Sequence, residues 1–204
     1  MKTKIVFLLD ESGSMSVIRE QTISGFNEYI DSVKKTSKEV TVTLTKFNSK
    51  GVDVVSLNKD IKKIKPLDNT SYQPDALTPL YDAIGKTVAE LEKEKIDKDC
   101  RVIFVIITDG QENNSREFDK AKIVKIIKEK EKVWTFVYLG ADQDAWLEAS
   151  TSIGISTAGS TMSFDTKDMK RTFKKLERGT VAFMSSSKRH SKEFVKDYME
   201  GDTK

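Results

Sequence analysis

Two unbroken apolar runs rich in β-branched residues, Ile5–Leu9 and Val102–Ile107, each stop at polar turn residues: Asp10 after the first, Thr108-Asp109-Gly110 after the second. Short runs without polar alternation predict strands covered on both faces, as in a parallel sheet. Residues 17–35 place Val17, Ile18, Phe26, Tyr29, Ile30 and Val33 at mostly helical spacing behind Ser16, a candidate cap, and predict the first crossover helix. Residues 40–47 alternate through Val40, Val42, Leu44 and Phe47. Ser49-Lys50-Gly51 then turns the chain into Val52–Leu57, which predicts a hairpin with an antiparallel edge strand. Beyond a loop over residues 65–77, Pro79 stands at a first helical position behind Thr78, and Leu80, Ala83, Ile84, Thr87, Val88 and Leu91 form one apolar stripe. A lysine-rich helix over 117–131, with Ile123, Ile126 and Ile127 on one face, leads into a buried strand, Val133–Leu139, ended by Gly140. Residues 143–152 read as helix, Thr161–Phe164 as a short strand, and 166–186 as a last helix with Met169, Phe173, Leu176 and Phe183 inward, despite Gly179. The expected fold is α/β: a mostly parallel six-stranded sheet with one antiparallel edge strand, helices on both faces, and the strands at Ile5, Val40 and Val102 central.

The length of 204 residues suits one domain, drawn here as residues 1–187, with 188–204 as a charged tail in which Phe194, Val195, Tyr198 and Met199 can form a short amphipathic turn. The net charge of +3 is small beside a charged fraction of 33%, and both signs are interspersed, so the balance itself implies no polyanion partner. The single cysteine, Cys100, has no partner for an intramolecular disulfide and opens an apolar run, as a buried thiol would. Lys2 and Lys4 precede an apolar run too short for a signal peptide, and no run is long enough to span a bilayer. These features lead us to expect a soluble protein that is not exported and sits in a reducing cytoplasm.

In an open α/β sheet, ligands bind in the crevice outside the carboxyl ends of the strands. Asp10 with the Ser12-Gly13-Ser14 loop, and Asp109, should share that edge, and Thr78 can join them from the start of the second helix. These side chains offer two carboxylates and three hydroxyls, with no thiolate or imidazole. Such a hard oxygen set selects Mg²⁺, Ca²⁺ or Mn²⁺. Taken singly, Asp109-Gly110 is an ordinary turn, Thr78-Pro79 an ordinary helix start and Ser12-Gly13-Ser14 an ordinary loop. Their joint placement at one edge carries the metal reading.

The segments "DESGS" at 10–14, "LTPLYDAIG" from 77 and "FVIITDGQENNS" from 104 resemble the three segments of the metal-ion-dependent adhesion site in von Willebrand factor type A domains. "QTISGFNEYI", "YDAIGKT" and "YLGADQDA" are similar to a group of stand-alone bacterial and bacteriophage proteins with this domain. The resemblance runs over residues 3–165 and implies a Rossmann-like fold. It implies Ser12 and Ser14 as direct hydroxyl ligands, Thr78 as a direct or switching ligand, and Asp10 and Asp109 as acids acting through bound water. Glu11, Gln111, Asn113 and Asp142 are expected around the bound ligand. The implied cofactor is Mg²⁺ or Mn²⁺, and the implied partner is a protein that supplies an Asp or Glu to the metal, with a second copy of the chain left open. Ala76-Leu77 departs from the family, which commonly has glycine before the threonine; a stiffer loop there bears on how Thr78 reaches the metal.

Two other classes compete. Asp10 could serve as a phosphoryl acceptor in a metal-dependent phosphatase or hydrolase, but enzymes resembling haloacid dehalogenases place a second Asp two residues on, where this chain has Ser12. The one histidine, His190, lies in the tail, which argues against a Ser-His-Asp hydrolase, and the chain is read as no enzyme. A nucleic-acid accessory role could use Lys170, Arg171, Lys174, Lys175 and Arg178 of the last helix, but Asp168 and Glu177 interrupt that face, and nucleic acid and membrane are set aside as partners.

Overall fold

A computed structural model describes residues 1–36, 38–94, 99–141 and 145–200. Six strands, β1 (Thr3–Asp10), β2 (Val40–Asn48), β3 (Gly51–Asp60), β4 (Arg101–Thr108), β5 (Thr135–Ala141) and β6 (Thr161–Phe164), form one sheet in the order β3-β2-β1-β4-β5-β6. Every neighbouring pair is parallel except β2 with β3, so the hairpin strand is the antiparallel edge that the alternation predicted. The helices are α1 (Arg19–Lys34), α2 (Leu80–Lys93), α3 (Lys120–Lys130), α4 (Ala145–Glu148) and α5 (Met169–Ser185). Among the described residues no helix is long and apolar enough to cross a membrane.

The period of two explains why β1 and β4 lack polar alternation. Ile5, Phe7 and Leu9 face one layer, where they meet Phe26, Tyr29 and Ile30 of α1 and Phe173, Leu176 and Phe183 of α5. Val6 and Leu8 face the other layer, against Leu80, Ile84 and Val88 of α2 and Ile123 and Ile127 of α3. Both faces of the central strands are therefore interior, and an apolar residue is favoured at every position along them.

Several boundaries differ from the sequence reading. Residues Gly13–Ile18 form a 3₁₀ turn, α1 begins only at Arg19 without a side-chain cap, and Ser16 caps nothing. Val17 is 80% exposed, because the turn rotates it off the helix stripe. Pro79 occupies the cap position of α2, not the first helical turn. Asp119 caps α3 by accepting the Lys122 N–H at 2.8 Å, which starts that helix three residues later than predicted. Residues 131–133 make a turn, so β5 starts at Thr135 and Val133 is exposed. Of the helix expected over 143–152, residues 143 and 144 lie outside the described residues, and the rest is α4 followed by a π-helical turn, Ala149–Ile153, stopped by Gly154 at φ 79°.

Gly179 has a packing reason. The segment after α5 folds back through a π-helical turn, Val195–Met199, and Phe194, Val195 and Met199 are buried in the α1–α5 layer. A Cβ on Gly179 would lie 2.8 Å from Met199 Cγ and 3.1 Å from the Tyr198 carbonyl. Gly179→Val should therefore lift this segment and cost about 1–3 kcal/mol. A denaturant titration, with limited proteolysis between residues 186 and 200, would show it; an unshifted midpoint would mean that the turn repacks without loss.

Candidate metal centre

Parallel pairing of Leu9 with Ile107 puts the carboxyl ends of β1 and β4 side by side. Asp10 is fully buried there. Its Oδ1 accepts the Ser12 N–H at 2.7 Å, which bends the chain into the Ser12–Ser14 loop, and its Oδ2 accepts the Thr108 hydroxyl at 2.6 Å. Thr108 Oγ1 also accepts the Gly110 N–H at 3.1 Å and so tightens the turn that delivers Asp109. The Ser12 and Ser14 hydroxyls lie 3.2 Å apart, and Ser14 donates to Asp109 Oδ1 at 2.6 Å. A Cβ on Gly110 would lie 3.1 Å from Thr78 Oγ1 and 3.7 Å from Ser14 Oγ, so any other residue at 110 would crowd the space these hydroxyls share. The five oxygen-bearing side chains thus converge at one edge. Asp10, Ser12 and Thr78 form its buried floor, while Ser14 is exposed and Asp109 half-buried on the solvent side.

Burial raises the Asp10 carboxyl from 3.8 to about 6, opposed by its hydrogen bonds from Thr108 and Ser12 and reinforced by the charge of Asp109. Its bonded partners are neutral donors, so a divalent cation would supply the counter-charge that the protein does not. The donor set fits a hard cation: two carboxylates, three hydroxyls and no softer atom. Among the described residues no group of three or more acidic, histidine or cysteine side chains could hold a metal.

The loop before α2 is laced to the same edge. Tyr72 donates its hydroxyl to the Asp10 carbonyl at 2.6 Å, the Asp75 N–H bonds to the Glu11 carbonyl at 2.9 Å, and the Gly13 N–H bonds to the Ala76 carbonyl at 3.0 Å. Ala76 sits at φ 67°, a left-handed conformation that glycine adopts without strain, at the point where the sequence departs from the resembled family.

The residues expected around the ligand have separate fates. Glu11 uses both carboxylate oxygens on Lys46 Nζ, each at 3.0 Å, and accepts the Gln73 N–H at 2.6 Å, so it braces the loop. Asn113 clamps the Thr78 backbone, accepting its N–H at 2.8 Å on Oδ1 and donating its own N–H to the Thr78 carbonyl at 3.1 Å. Gln111 is exposed and lines a cleft of about 320 Å³ beside Asp109, with Tyr138, Leu147 and Glu148. Asp142 lies outside the described residues.

Thr78 is not the helix cap that Thr78-Pro79 suggested. The first turn of α2 is capped across the fold: Glu112 Oε2 accepts the Tyr81 N–H at 2.8 Å and Ser115 Oγ accepts the Asp82 N–H at 3.0 Å. Asp82 returns the bond, accepting the N–H groups of Arg116, Glu117 and Phe118 at 2.8–2.9 Å. Sequence reasoning missed this lattice, together with Thr108 and Tyr72. The one local signal was Glu112 three residues before Ser115, an acid able to accept the N–H groups of a turn.

Comparison with solved structures finds the same fold. The von Willebrand factor domain of the type V pili tip protein Mfa5 from Porphyromonas gingivalis is 10% identical, with a TM-score of 0.63, over 92% of this chain and 97% of that one. Proximal thread matrix protein 1 from the mussel byssus is 13% identical, with a TM-score of 0.61, over 86% of this chain; the match spans just under half of the mussel protein, 45%. The mussel protein has also been solved with a zinc-occupied MIDAS motif, matching at 12% identity and a TM-score of 0.58 over 86% of this chain and 46% of that one. Comparison with curated proteins gives no match. The family of von Willebrand factor type A domains matches residues 4–178, nearly the whole chain, and the protein belongs to it.

Proposed function

We propose that the protein is a non-catalytic binding module that holds Mg²⁺ or Mn²⁺ through Asp10, Ser12, Ser14, Thr78 and Asp109 and captures an acidic side chain of a partner protein there. The observation that carries this reading is the convergence of these five side chains around a buried carboxylate whose bonded partners carry no charge. Zinc in the MIDAS motif of the mussel protein supports a divalent cation at this edge. A bound cation supplies a Lewis-acidic position for an incoming carboxylate oxygen. The chain's own residues set the rest: Asp10 contributes buried charge, Ser14 and Asp109 lie toward solvent, and Asn113 fixes the height of Thr78 through its two backbone bonds. The arrangement offers a phosphoryl-transfer reaction no second carboxylate two residues after Asp10, because Ser12 stands there.

The test is capture from a lysate of the native host with Mg²⁺ and again with EDTA. Binding that needs the metal and fails when the partner's critical Asp or Glu becomes Ala is expected. A complex that survives EDTA yet dissolves in moderate salt would be an ordinary electrostatic interface and would sink the reading. Asn113→Ala should weaken metal affinity about tenfold through loss of the Thr78 clamp. Calorimetric titration measures it, and an unchanged isotherm would leave Asn113 without a role at the metal.

A further inference from the structure

The end of the molecule opposite Asp10 and Asp109 carries a different surface. At the amino ends of β1 and β2, beside the carboxyl end of α1, lies a cleft of about 870 Å³ lined by Lys2, Lys4, Lys34, Lys35, Lys38 and Lys62. Among the described residues two acids, Glu39 and Asp60, line it as well, which leaves a net of four positive charges from its six lysines. Lys35 and Thr36 also line a second cleft, of about 400 Å³, and its Arg178 lines a third, of about 530 Å³, with Arg171, Lys174 and Lys175. The basic face of α5 is thereby continuous with the end of α1. Glu177, which interrupts that face in sequence, accepts the Ser32 hydroxyl at 2.6 Å.

Among the described residues, Lys4, Lys35, Lys38, Lys62, Arg171, Lys174, Lys175 and Arg178 have no carboxylate within 4.0 Å; within the tract Lys2, Lys34 and Lys170 are paired, with Glu39, Asp31 and Glu28. Among the described residues the first two clefts contain no aromatic ring, and their neutral side-chain oxygens are hydroxyls, from Thr3, Thr36, Thr41, Ser32 and Ser185; the third is also lined by Glu200 and by Tyr198, whose ring packs on Phe183 and Phe194. Thr41 Oγ1 is buried without a hydrogen-bond partner. Protein interfaces use aromatic and apolar anchors and are depleted in lysine. Single-stranded nucleic acid is held on aromatic stacking platforms. Lysines and hydroxyls without rings suit phosphate oxygens. Charge spread over three joined clefts suits an extended polyanion better than a compact one.

We propose that this tract binds the phosphate backbone of a nucleic-acid duplex, without base readout, at a site independent of the metal. The test is fluorescence anisotropy with a labelled mixed-sequence DNA duplex of roughly 24 base pairs, titrated across KCl concentrations in EDTA. Two groove variants, Lys35→Ala/Lys38→Ala/Lys62→Ala and Lys174→Ala/Lys175→Ala, are compared with Lys120→Ala/Lys125→Ala/Lys128→Ala on α3. All but Lys175 are exposed, and circular dichroism confirms that each variant folds. Binding should weaken steeply with salt. Each groove variant should lose about tenfold in affinity at low salt, and its log–log slope should flatten by roughly one for each phosphate-contacting lysine removed. The α3 variant should bind as wild type does. Equal loss in the α3 variant would reduce the effect to general positive charge and overturn the proposal, as would no binding at low salt or equal affinity for a polyglutamate peptide. Tighter binding of the matching single strand would overturn the duplex assignment. Because the titration is run in EDTA, its failure leaves the metal-dependent reading standing, and the reverse also holds.

Discussion

Replacing Asp10 with asparagine will make the metal-stripped protein more stable and abolish its response to divalent cations. Burial raises the Asp10 carboxyl to about 6, so the folded state binds a proton more tightly than the unfolded chain does. Stability of the EDTA-treated wild type must then fall as pH rises from about 4 to about 6 and stay reduced above that window. Raising the carboxyl from 3.8 to about 6 corresponds to at most ~3 kcal/mol, and a gain of about 1–3 kcal/mol is expected for Asp10→Asn at neutral pH. The side-chain geometry tolerates the change. The amide oxygen can still accept the Ser12 N–H, and the amide nitrogen can donate to Thr108 Oγ1, whose own hydroxyl turns to the Gly110 carbonyl 3.0 Å away. With Mg²⁺ the order should invert, because wild type gains RT ln(1 + [Mg²⁺]/Kd) and the variant gains nothing. Denaturant midpoints with EDTA and across a Mg²⁺ series read both effects. A variant less stable than wild type in EDTA would mean that the hydrogen bonds of Asp10 outweigh its buried charge. A variant that still responds to Mg²⁺ would place the metal elsewhere.

The strands were legible where burial leaves one solution. Ile5–Leu9 and Val102–Ile107 admit no polar residue because layers cover both faces, and the structure places them side by side at the centre of the sheet. The antiparallel edge was legible because Val40–Phe47 alternates and Ser49-Lys50-Gly51 turns the chain back into Val52–Leu57. Helix starts were less legible, since a cap is a hydrogen bond and its partner can be distant in sequence. Ser16 has the right chemistry for a cap yet lies inside a 3₁₀ turn. The N–H groups at the start of α2 bond to Glu112 and Ser115, more than thirty residues on, a pairing that no local pattern encodes.

The candidate site divides in the same way. Hydroxyl and carboxylate types at strand ends pointed to Asp10, Ser12, Ser14, Thr78 and Asp109, and parallel register brings them together. Glu11, expected near the ligand because it follows Asp10 directly, reaches Lys46 on β2. Asn113, expected near the ligand, holds the backbone of Thr78. Thr108 was passed over as the end of a strand, yet its hydroxyl ties Asp10 to the turn that carries Asp109.

That distinction between donors and what holds them makes Asp82 the other position of large effect. Its side chain is buried, and burial alone would raise its carboxyl, but the N–H groups of Arg116, Phe118 and Glu117 outweigh burial and bring it below the ordinary value of 3.8. A lowered folded value means stability present above pH 4 and lost as pH falls through the folded value, opposite in sign to Asp10. Asp82→Ala leaves three N–H groups without their charged acceptor and should cost on the order of 3 kcal/mol. Asp82→Asn keeps the oxygen facing Glu117 and Phe118 but turns an N–H toward that of Arg116, and should cost about half as much. The segment so anchored also contains Asp109 and Asn113, and α2 follows directly on Thr78. Slack between them should therefore spread the donors as well as weaken the fold. Calorimetry on the folded Asp82→Asn protein should show Mg²⁺ affinity reduced about tenfold. A loss of stability with wild-type affinity would mean that the α2 lattice supports the fold alone, and that the Asp10–Thr108 pair by itself sets the positions of the donors.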